Sequence, residues 1–380
     1  MKGYFRKRGT KWSFTIDVGR DPETGKRKQK TVSGFKTKKE AEKACAEMIA
    51  QIENGEFFET SKDSFAVFLQ QWLDNAAKQT TRATTFDGYK RTIHHRIIPA
   101  IGHLKLADIK PIHIQKFYTQ LVEEDLSSEY IRFIHSILRS AFNTALKWQL
   151  VSKNIMSNVE VPKLKRKEKG IWTLEQAQQF LNYAKEKGTR RYIVYLLAIY
   201  TGMRRGEIFG LRWKDVDLEN GKISINQTLS WVSGQGLIFQ EAKTKRSHRS
   251  ISISDFVVQE LKNHKLQQRK EKLRIGEAYN DQDLVVASAY GNPMNPRGVT
   301  DYFRKLTVEA GLPVIRFHDL RHTHATIMLK LGEHPKIVSE RLGHSNIQMT
   351  LNLYSHVTPD MQKDASHRFE EAMKSAQNSL

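Results

Sequence analysis

The sequence predicts a multidomain α+β protein: a small β-sheet-plus-helix domain, an all-α domain, and a mostly α domain with a small antiparallel sheet. Three observations support this fold class. Apolar and polar residues alternate as in strands near the N-terminus, whereas residues 63–160 show the three- and four-residue spacing of helices. The polar, basic stretch PKLKRKEKG at 162–170 then separates this helical region from a longer C-terminal region that shows both patterns.

The composition is typical of a protein that binds a polyanion. The 380 residues include 62 Lys and Arg against 41 Asp and Glu, which gives a formal net charge of +21. Nucleic acid is the first candidate partner, and an anionic membrane surface is the alternative. No run of about 18 apolar residues and no signal peptide is recognisable. The single Cys45 excludes an intramolecular disulfide framework. A cytoplasmic protein without a membrane partner is predicted.

Residues 1–60 are predicted to form a small DNA-binding domain. Residues 12–18 alternate as in a strand buried on one face, and residues 27–36 supply a returning strand. A capping box of Thr37 and Glu40 begins a helix. A three-stranded sheet on one helix can present a basic face to the major groove, and the alternative is a solvated hairpin without a DNA role. The apolar face of the helix consists of Ala41, Ala44, Cys45, Met48, Ile49 and Ile52.

Residues 61–161 are predicted to form a helical domain. Apolar residues recur at helical spacing in residues 65–73, and residues 84–97 form another helix. Pro111 and Ser127 stand where helices can begin. Outward basic residues would contact the DNA backbone if they share a side, and the alternative is an ordinary solvated face. They are Lys90, Arg91, Arg96, Arg132, Arg139 and Lys147.

Residues 162–170 are predicted to be a flexible basic linker that lets two DNA-binding domains close around a duplex. Residues 171–380 form the last domain. In it, residues 193–200 (IVYLLAIY) are apolar on nearly every side, so they predict a buried helix. Asn220 and Gly221 signal a hairpin between apolar alternations.

Two motifs in the last domain carry the residues for phosphate chemistry. TGMRRGEIFGL at 201–211 places Arg204 in the first turn of a short helix, with Glu207 three residues on. The second motif spans residues 318–356. An arginine can grip two phosphate oxygens, a histidine can donate to them, and a tyrosine hydroxyl can attack phosphorus. The second motif contains His318, Arg321, His344 and Tyr354.

Helical apolar repeats fill the second motif between its polar residues. Gly332 and Gly343 stand where its helices are predicted to end. The repeats are Ala325, Met328, Leu329 and Leu331, then Ile337, Val338 and Leu342.

These motifs, together with K-T-K in a basic hairpin at 241–250, resemble the tyrosine recombinase (phage integrase) family. The type is that of temperate-phage and conjugative-transposon integrases with an N-terminal arm-binding domain. The resemblance implies that Arg204 and Arg321 clamp the scissile phosphate. It also implies that Lys243 is the general acid, although a hairpin register shift would exchange it with Lys245. The remaining implied roles are phosphate binding by His318 and His344 and nucleophilic attack by Tyr354.

Glu207 is expected to brace the Arg204 helix, and a surface salt bridge is the alternative. The resemblance further implies a site-specific DNA recombinase that integrates and excises a mobile element or prophage through a 3′-phosphotyrosyl intermediate. No metal, ATP or other cofactor is expected. The implied partner is double-stranded DNA with core and arm attachment sites, bound by residues 61–161 and 1–60. A homotetramer on DNA, DNA-bending or directionality factors, and association with the nucleoid of a bacterial host are also implied.

Three alternative functions fit the sequence less well. His318 and His322 are one helical turn apart, as metal ligands of a hydrolase can be, but no carboxylate triad accompanies them. A silent DNA-binding regulator would not need Tyr354 and both arginines. A relaxing topoisomerase shares the chemistry, but the N-terminal domain argues for recombination between several sites.

The C-terminal tail is predicted to form an amphipathic helix that packs on its own domain or docks on a neighbouring protomer. Its apolar stripe is Met361, Ala365, Phe369, Ala372 and Met373.

Overall fold

The computed structural model divides the chain into two compact units, Met1–Lys165 and Arg166–Leu380. Among the described residues, no helix has the length and apolarity needed to cross a membrane. The described residues are 2–20, 25–53, 63–164, 170–241, 248–344 and 346–354, with isolated helical positions between 366 and 377.

The N-terminal sheet has the antiparallel order β1-β2-β3 and packs on one helix, as predicted. Phe14 and Ile16 of the central strand meet Ala41 and Cys45 of the helix in a small core. The Thr37 hydroxyl accepts from the Glu40 N–H at 3.2 Å, as expected for the predicted capping box. The elements are β1 (Tyr4–Arg8), β2 (Lys11–Arg20), β3 (Arg27–Phe35) and α1 (Lys38–Glu53).

The region from residue 63 to residue 164 is helical, and its core is built from the predicted apolar faces. Ser127 caps its longest helix by accepting from the Tyr130 N–H at 3.2 Å. All six outward basic residues are exposed or half-buried. The helices are α2 (Phe65–Trp72), α3 (Lys78–Thr80), α4 (Ala83–Thr92), α5 (Ile98–Ile101), α6 (Pro111–Glu123) and α7 (Ser128–Lys147).

Two π-helical segments interrupt this domain, and the second lies within the continuous helix predicted at 84–97. They are Leu73–Ala77, between α2 and α3, and Ile93–Ile97, between α4 and α5. In the second, the Ile98 N–H bonds the Ile93 carbonyl, five residues back. Pro99 has no N–H, and its ring would clash with the carbonyl four residues earlier, so the wider turn accommodates it.

The core of the second unit is mainly aliphatic, and it includes α9, which is buried on nearly every side, as predicted. A capping box of Thr173 and Gln176 begins α8. Its helices are α8 (Leu174–Glu186), α9 (Tyr192–Thr201), α10 (Arg205–Phe209), α11 (Asp255–Ile275), α12 (Pro296–Glu309), α13 (Asp319–Lys330), α14 (Pro335–Leu342) and α15 (Gln348–Tyr354).

The strands of this unit form a three-stranded sheet and a separate hairpin. β5 pairs with both β4 and β8, while β6 and β7 pair only with each other. The turn at Asn220–Gly221 joins β4 to β5 as predicted, with Gly221 at a φ of +59°. The strands are β4 (Val216–Asp217), β5 (Lys222–Ile225), β6 (Gln227–Val232), β7 (Gly236–Glu241) and β8 (Arg249–Ser252).

The helices of the second motif end at glycines as predicted, but two of their apolar positions do not face the core. Ala325, Leu329, Val338 and Leu342 are fully buried. Leu331, by contrast, is 67 % exposed and Ile337 is 52 % exposed. Leu331 is the C-cap of α13, where helical periodicity no longer determines which way a side chain points, whereas Ile337 lies in the first turn of α14 beside the buried Val338.

Candidate active site

Arg204 is presented by a turn between two helices. α9 ends at Gly202, which adopts a left-handed φ of +64° and redirects the chain. Arg204 follows in an extended conformation as the N-cap of α10, one position before the first turn in which the sequence placed it. The Arg204 N–H and guanidinium both donate to the Glu207 carboxylate at 2.8 Å.

Glu207 is an internal residue, with an exposed fraction of 2 %, so the surface salt bridge considered for it is wrong. Its second partner is Arg249, whose Nη1 and Nη2 donate to the two carboxylate oxygens at 3.0 and 2.7 Å. Burial by itself raises the pKa of Glu207, but hydrogen bonds from Arg249 and Arg204 outweigh it and lower the pKa. The buried carboxylate therefore stays charged and joins α10 to β8.

Arg249 was not identified from the sequence. It lies among several basic residues of the 241–250 hairpin, which looks uniformly solvated. The available signal is the strand alternation that follows it. Arg249 and Ile251 are two positions apart, so they share a face of β8, and Ile251 is 1 % exposed. A basic residue on the same strand face as a buried isoleucine is expected to be buried too, and it then needs a buried acidic partner.

Three arginines converge on three consecutive carbonyls at the end of α14, which we call the α14 carbonyls. Arg249 Nε donates to the Arg341 carbonyl at 2.8 Å. Arg321 Nη2 donates to the Leu342 carbonyl at 2.7 Å. Arg204 Nη2 donates to the Gly343 carbonyl at 2.8 Å. The last carbonyls of a helix lack helical partners and carry its partial negative charge, so this terminus holds the three guanidinium groups in position.

Arg321 is also tied to the turn that presents Arg204. Its Nη1 donates to the Gly202 carbonyl at 2.8 Å, and the residue is 4 % exposed. Burial, followed by the charge of Arg204, lowers the pKa of Arg321 to about 9. Arg321 therefore remains a cation at neutral pH.

The arginine cluster, meaning Arg204, Arg249 and Arg321, carries an excess of positive charge. Its three cations face one carboxylate, that of Glu207, so a charge of +2 remains. Burial, followed by Arg321 and Arg204, lowers the pKa of His344 to about 4. The His344 ring is thus neutral at pH 7, and its Nδ1 lies 2.8 Å from the Thr350 hydroxyl.

His318 is the N-cap of α13 and lines a cavity of about 810 Å³ together with Arg204. Desolvation, followed by the charge of Arg321, lowers the pKa of His318. Its ring meets that of His322 edge-on at 5.4 Å, but the described residues contain no group of three His, Cys, Asp or Glu suited to a metal ion. The cavity is also lined by Arg205, Arg304, Arg316, Asp301 and Asp319.

His324 packs against the turn at Gly202 that presents Arg204. Its Nδ1 lies 2.8 Å from the Ile199 carbonyl, and Arg341 Nε donates to its Nε2 at 3.3 Å. Because Nε2 accepts, the proton of the neutral ring belongs on Nδ1. Burial, followed by Arg341, lowers the pKa of His324 to about 4. The ring packs against Gly202, where a Cβ atom would lie 2.6 Å from it.

The side chains of the predicted general acid and the predicted nucleophile are not among those that the structure describes. Lys243 and its alternative Lys245 lie outside the described residues. Tyr354 is the last residue of α15, but its side chain also lies outside the described part of the chain. Among the other predicted site residues, Arg204 and Glu207 are hydrogen-bonded to each other, and Arg204 and Arg321 bond neighbouring α14 carbonyls. The charges of Arg321 and Arg204 act on His318 and His344.

Comparisons with known proteins agree with this architecture. Family models for the phage integrase family, an arm DNA-binding domain and the N-terminal SAM-like domain of phage integrases match residues 172–361, 4–52 and 64–122. A "Tyrosine recombinase XerC-like" protein of Caldanaerobacter subterraneus is 32% identical over 93% of this chain and 94% of its own length. The ICEBs1 integrase of Bacillus subtilis is 25% identical over 95% of this chain and 97% of its own length.

Solved structures share the fold. The Tn1549 transposon integrase in complex with a circular intermediate DNA aligns with a TM-score of 0.67 and 22% identity, over 81% of this chain and 99% of its own. A lambda integrase tetramer bound to a Holliday junction aligns with a TM-score of 0.56 and 19% identity, over 90% and 92%.

The fold and the motifs are those of a tyrosine recombinase, an enzyme of site-specific DNA recombination and integration. The chain belongs to the phage integrase family.

Proposed function

We propose that Arg204 and Arg321 of the arginine cluster bind the scissile phosphate of a DNA strand, and that Tyr354 cleaves this strand without help from a metal ion. The observation that carries the proposal is the cluster's charge of +2, held in place by hydrogen bonds to Glu207 and the α14 carbonyls. A phosphodiester is an anion that gains charge on its oxygens during attack. Cations fixed in advance stabilise that charge without reorganisation.

The proposed reaction has two balanced halves. The Tyr354 oxygen attacks phosphorus, the bond to the 5′-oxygen breaks, and a 3′-phosphotyrosyl ester forms. His318, neutral by desolvation, accepts the phenolic proton, and Lys243 gives a proton to the departing 5′-oxygen. A 5′-hydroxyl from another strand then attacks the ester and gives its proton to Lys243, and the departing Tyr354 oxygen takes back the proton held by His318. One phosphoester replaces another at each step, so no ATP is consumed.

Covalent trapping tests this proposal. On a nicked duplex whose cleaved 5′ fragment diffuses away, the full-length protein should accumulate as a protein–DNA adduct, because religation has lost its nucleophile. The adduct should form equally well with EDTA present. Adduct formation that requires added magnesium would contradict the metal-free chemistry.

We further propose that residues 1–60 read arm sites, residues 61–161 read core sites, and four protomers assemble on DNA. The support is the likeness to relatives of this type, including the lambda integrase tetramer bound to a Holliday junction. The basic N-terminal sheet and the exposed basic residues of the helical domain fit the same assignment. DNA-bending or directionality factors are further candidate partners.

A chain that lacks residues 1–60 is expected to cleave core sites normally while losing integration, because core and arm sites can no longer be bridged. Recombination between attachment-site plasmids measures the loss, and core-site adduct formation by the same truncated protein is its internal control. The lost binding should be strongly salt-dependent, as phosphate contacts are. Wild-type integration by the truncated chain would contradict the arm-site role.

A further inference from the structure

Thr350 contacts His344, which the family resemblance assigns to phosphate binding, and no role has yet been given to Thr350 itself. It lies in α15 and is 0% exposed. Its hydroxyl oxygen is 2.8 Å from Nδ1 of His344, which is a hydrogen-bonding distance. Tyr354 follows one helical turn later in the same helix. A single buried hydroxyl therefore links the imidazole to the helix that ends in the proposed nucleophile.

The direction of this hydrogen bond decides what His344 can do. A neutral imidazole has one N–H and one acceptor nitrogen, and the partner of one nitrogen determines the state of the other. If the hydroxyl donates to Nδ1, the proton lies on Nε2. If Nδ1 donates to the hydroxyl, Nε2 is an acceptor and would repel a phosphate oxygen.

The burial of Thr350 favours the first arrangement. Its hydroxyl is enclosed, and Nδ1 of His344 is the hydrogen-bond partner that the described part of the chain offers it. If the hydroxyl only accepted from Nδ1, its own O–H would be buried without an acceptor, which is unfavourable. The terminal nitrogens of Arg321 and Arg204 are directed to oxygens of Gly202, Leu342, Gly343 and Glu207.

We propose that Thr350 is a positioning residue whose hydroxyl donates to Nδ1 of His344 and so keeps the ring proton on Nε2, the nitrogen left to donate to the scissile phosphate. This inference rests on the proposed function, since it assumes that His344 binds the phosphate. His324 has the opposite tautomer in the same domain, because Arg341 donates to its Nε2. The two histidines therefore give different nitrogen signals in one sample.

The test uses full-length protein with ¹⁵N-labelled histidine and two-bond proton–nitrogen spectra recorded without DNA. A His344→Gln variant identifies the His344 signals. Wild type should show the Nε2–H tautomer at His344 and the Nδ1–H tautomer at His324. Thr350→Val, which keeps the shape and removes the hydroxyl, should mix the His344 tautomers and slow covalent trapping by about 10- to 100-fold. Thr350→Ser should retain the wild-type tautomer and rate.

Thr326→Val is the matched control. Thr326 is a buried threonine of α13 whose hydroxyl has no hydrogen-bond partner among the described residues. Its replacement should change neither the His344 spectrum nor trapping. An Nδ1–H signal for wild-type His344 overturns the inference, even if Thr350→Val fails to fold. Wild-type trapping by Thr350→Val also overturns it. The tautomer is measured without cleavage, so a failed Tyr354 assignment would be recognised separately.

Discussion

Tyr354→Phe is expected to bind core-site DNA with wild-type affinity and to form no detectable covalent adduct on a nicked duplex. The substitution removes one oxygen atom, which the proposed reaction uses as the nucleophile, and leaves the aromatic ring. The arginine cluster is untouched, so the electrostatic part of binding should remain. The measurement pairs an electrophoretic binding assay with the trapping assay on the same DNA.

Tyr290→Phe provides a matched control for this experiment. Tyr290 is 58% exposed and lies in the loop before α12, so losing its hydroxyl should leave the adduct at the wild-type level. If Tyr354→Phe still forms the adduct, the nucleophile is another residue. The clamp would then have to be reinterpreted around that residue.

Arg321→Lys is expected to lower the trapping rate by about 10²- to 10³-fold, as the loss of one preorganised donor does. A lysine can neither grip two phosphate oxygens side by side nor bond the Gly202 and Leu342 carbonyls in the same geometry. Because those carbonyls are buried, leaving one unpaired should also lower the free energy of unfolding by about 1–3 kcal/mol. Urea unfolding measures this second effect.

Arg204→Lys separates the two effects. The Arg204 side chain is 38% exposed, so water can replace its lost hydrogen bonds, and the trapping rate should fall with little change in stability. Arg297→Lys, at a side chain 88% exposed on α12, should change neither quantity. Trapping by Arg321→Lys at more than about a tenth of the wild-type rate would be inconsistent with the proposed clamp.

The order of the elements and the motif residues could be predicted from the sequence, because both depend on local patterns. Alternation located β2 and β5, helical spacing located α1 and α2, continuous apolarity located α9, and glycines marked the ends of α13 and α14. The pairing of β5 with β8 could not be predicted. A hairpin signal concerns neighbouring strands, whereas this pair joins strands separated by the β6–β7 hairpin.

The supports of the site were also beyond local patterns. Arg321 donates to a carbonyl 119 residues away and Arg204 to one 139 residues away. Every residue has a carbonyl, so no residue type in the sequence indicates which carbonyls bind the arginine cluster. The burial of Glu207 and its pairing with Arg249 likewise depend on how α10 and β8 meet. Side-chain chemistry identified the groups that would touch phosphate, but not the groups that hold them.

Gly202 and Gly343 affect how mutated copies of integrase genes should be interpreted. Both adopt left-handed φ values, +64° and +65°. The Gly202 carbonyl accepts from Arg321, and the Gly343 carbonyl accepts from Arg204. A Cβ atom at Gly202 would lie 2.5 Å from Leu342, and one at Gly343 would lie 3.0 Å from Arg249. A descendant can therefore keep every arginine, histidine and tyrosine of the motifs and still be inactive after one glycine-to-alanine change. A genomic survey that judges an integrase active from its polar motif residues alone would count such an inactive variant as active.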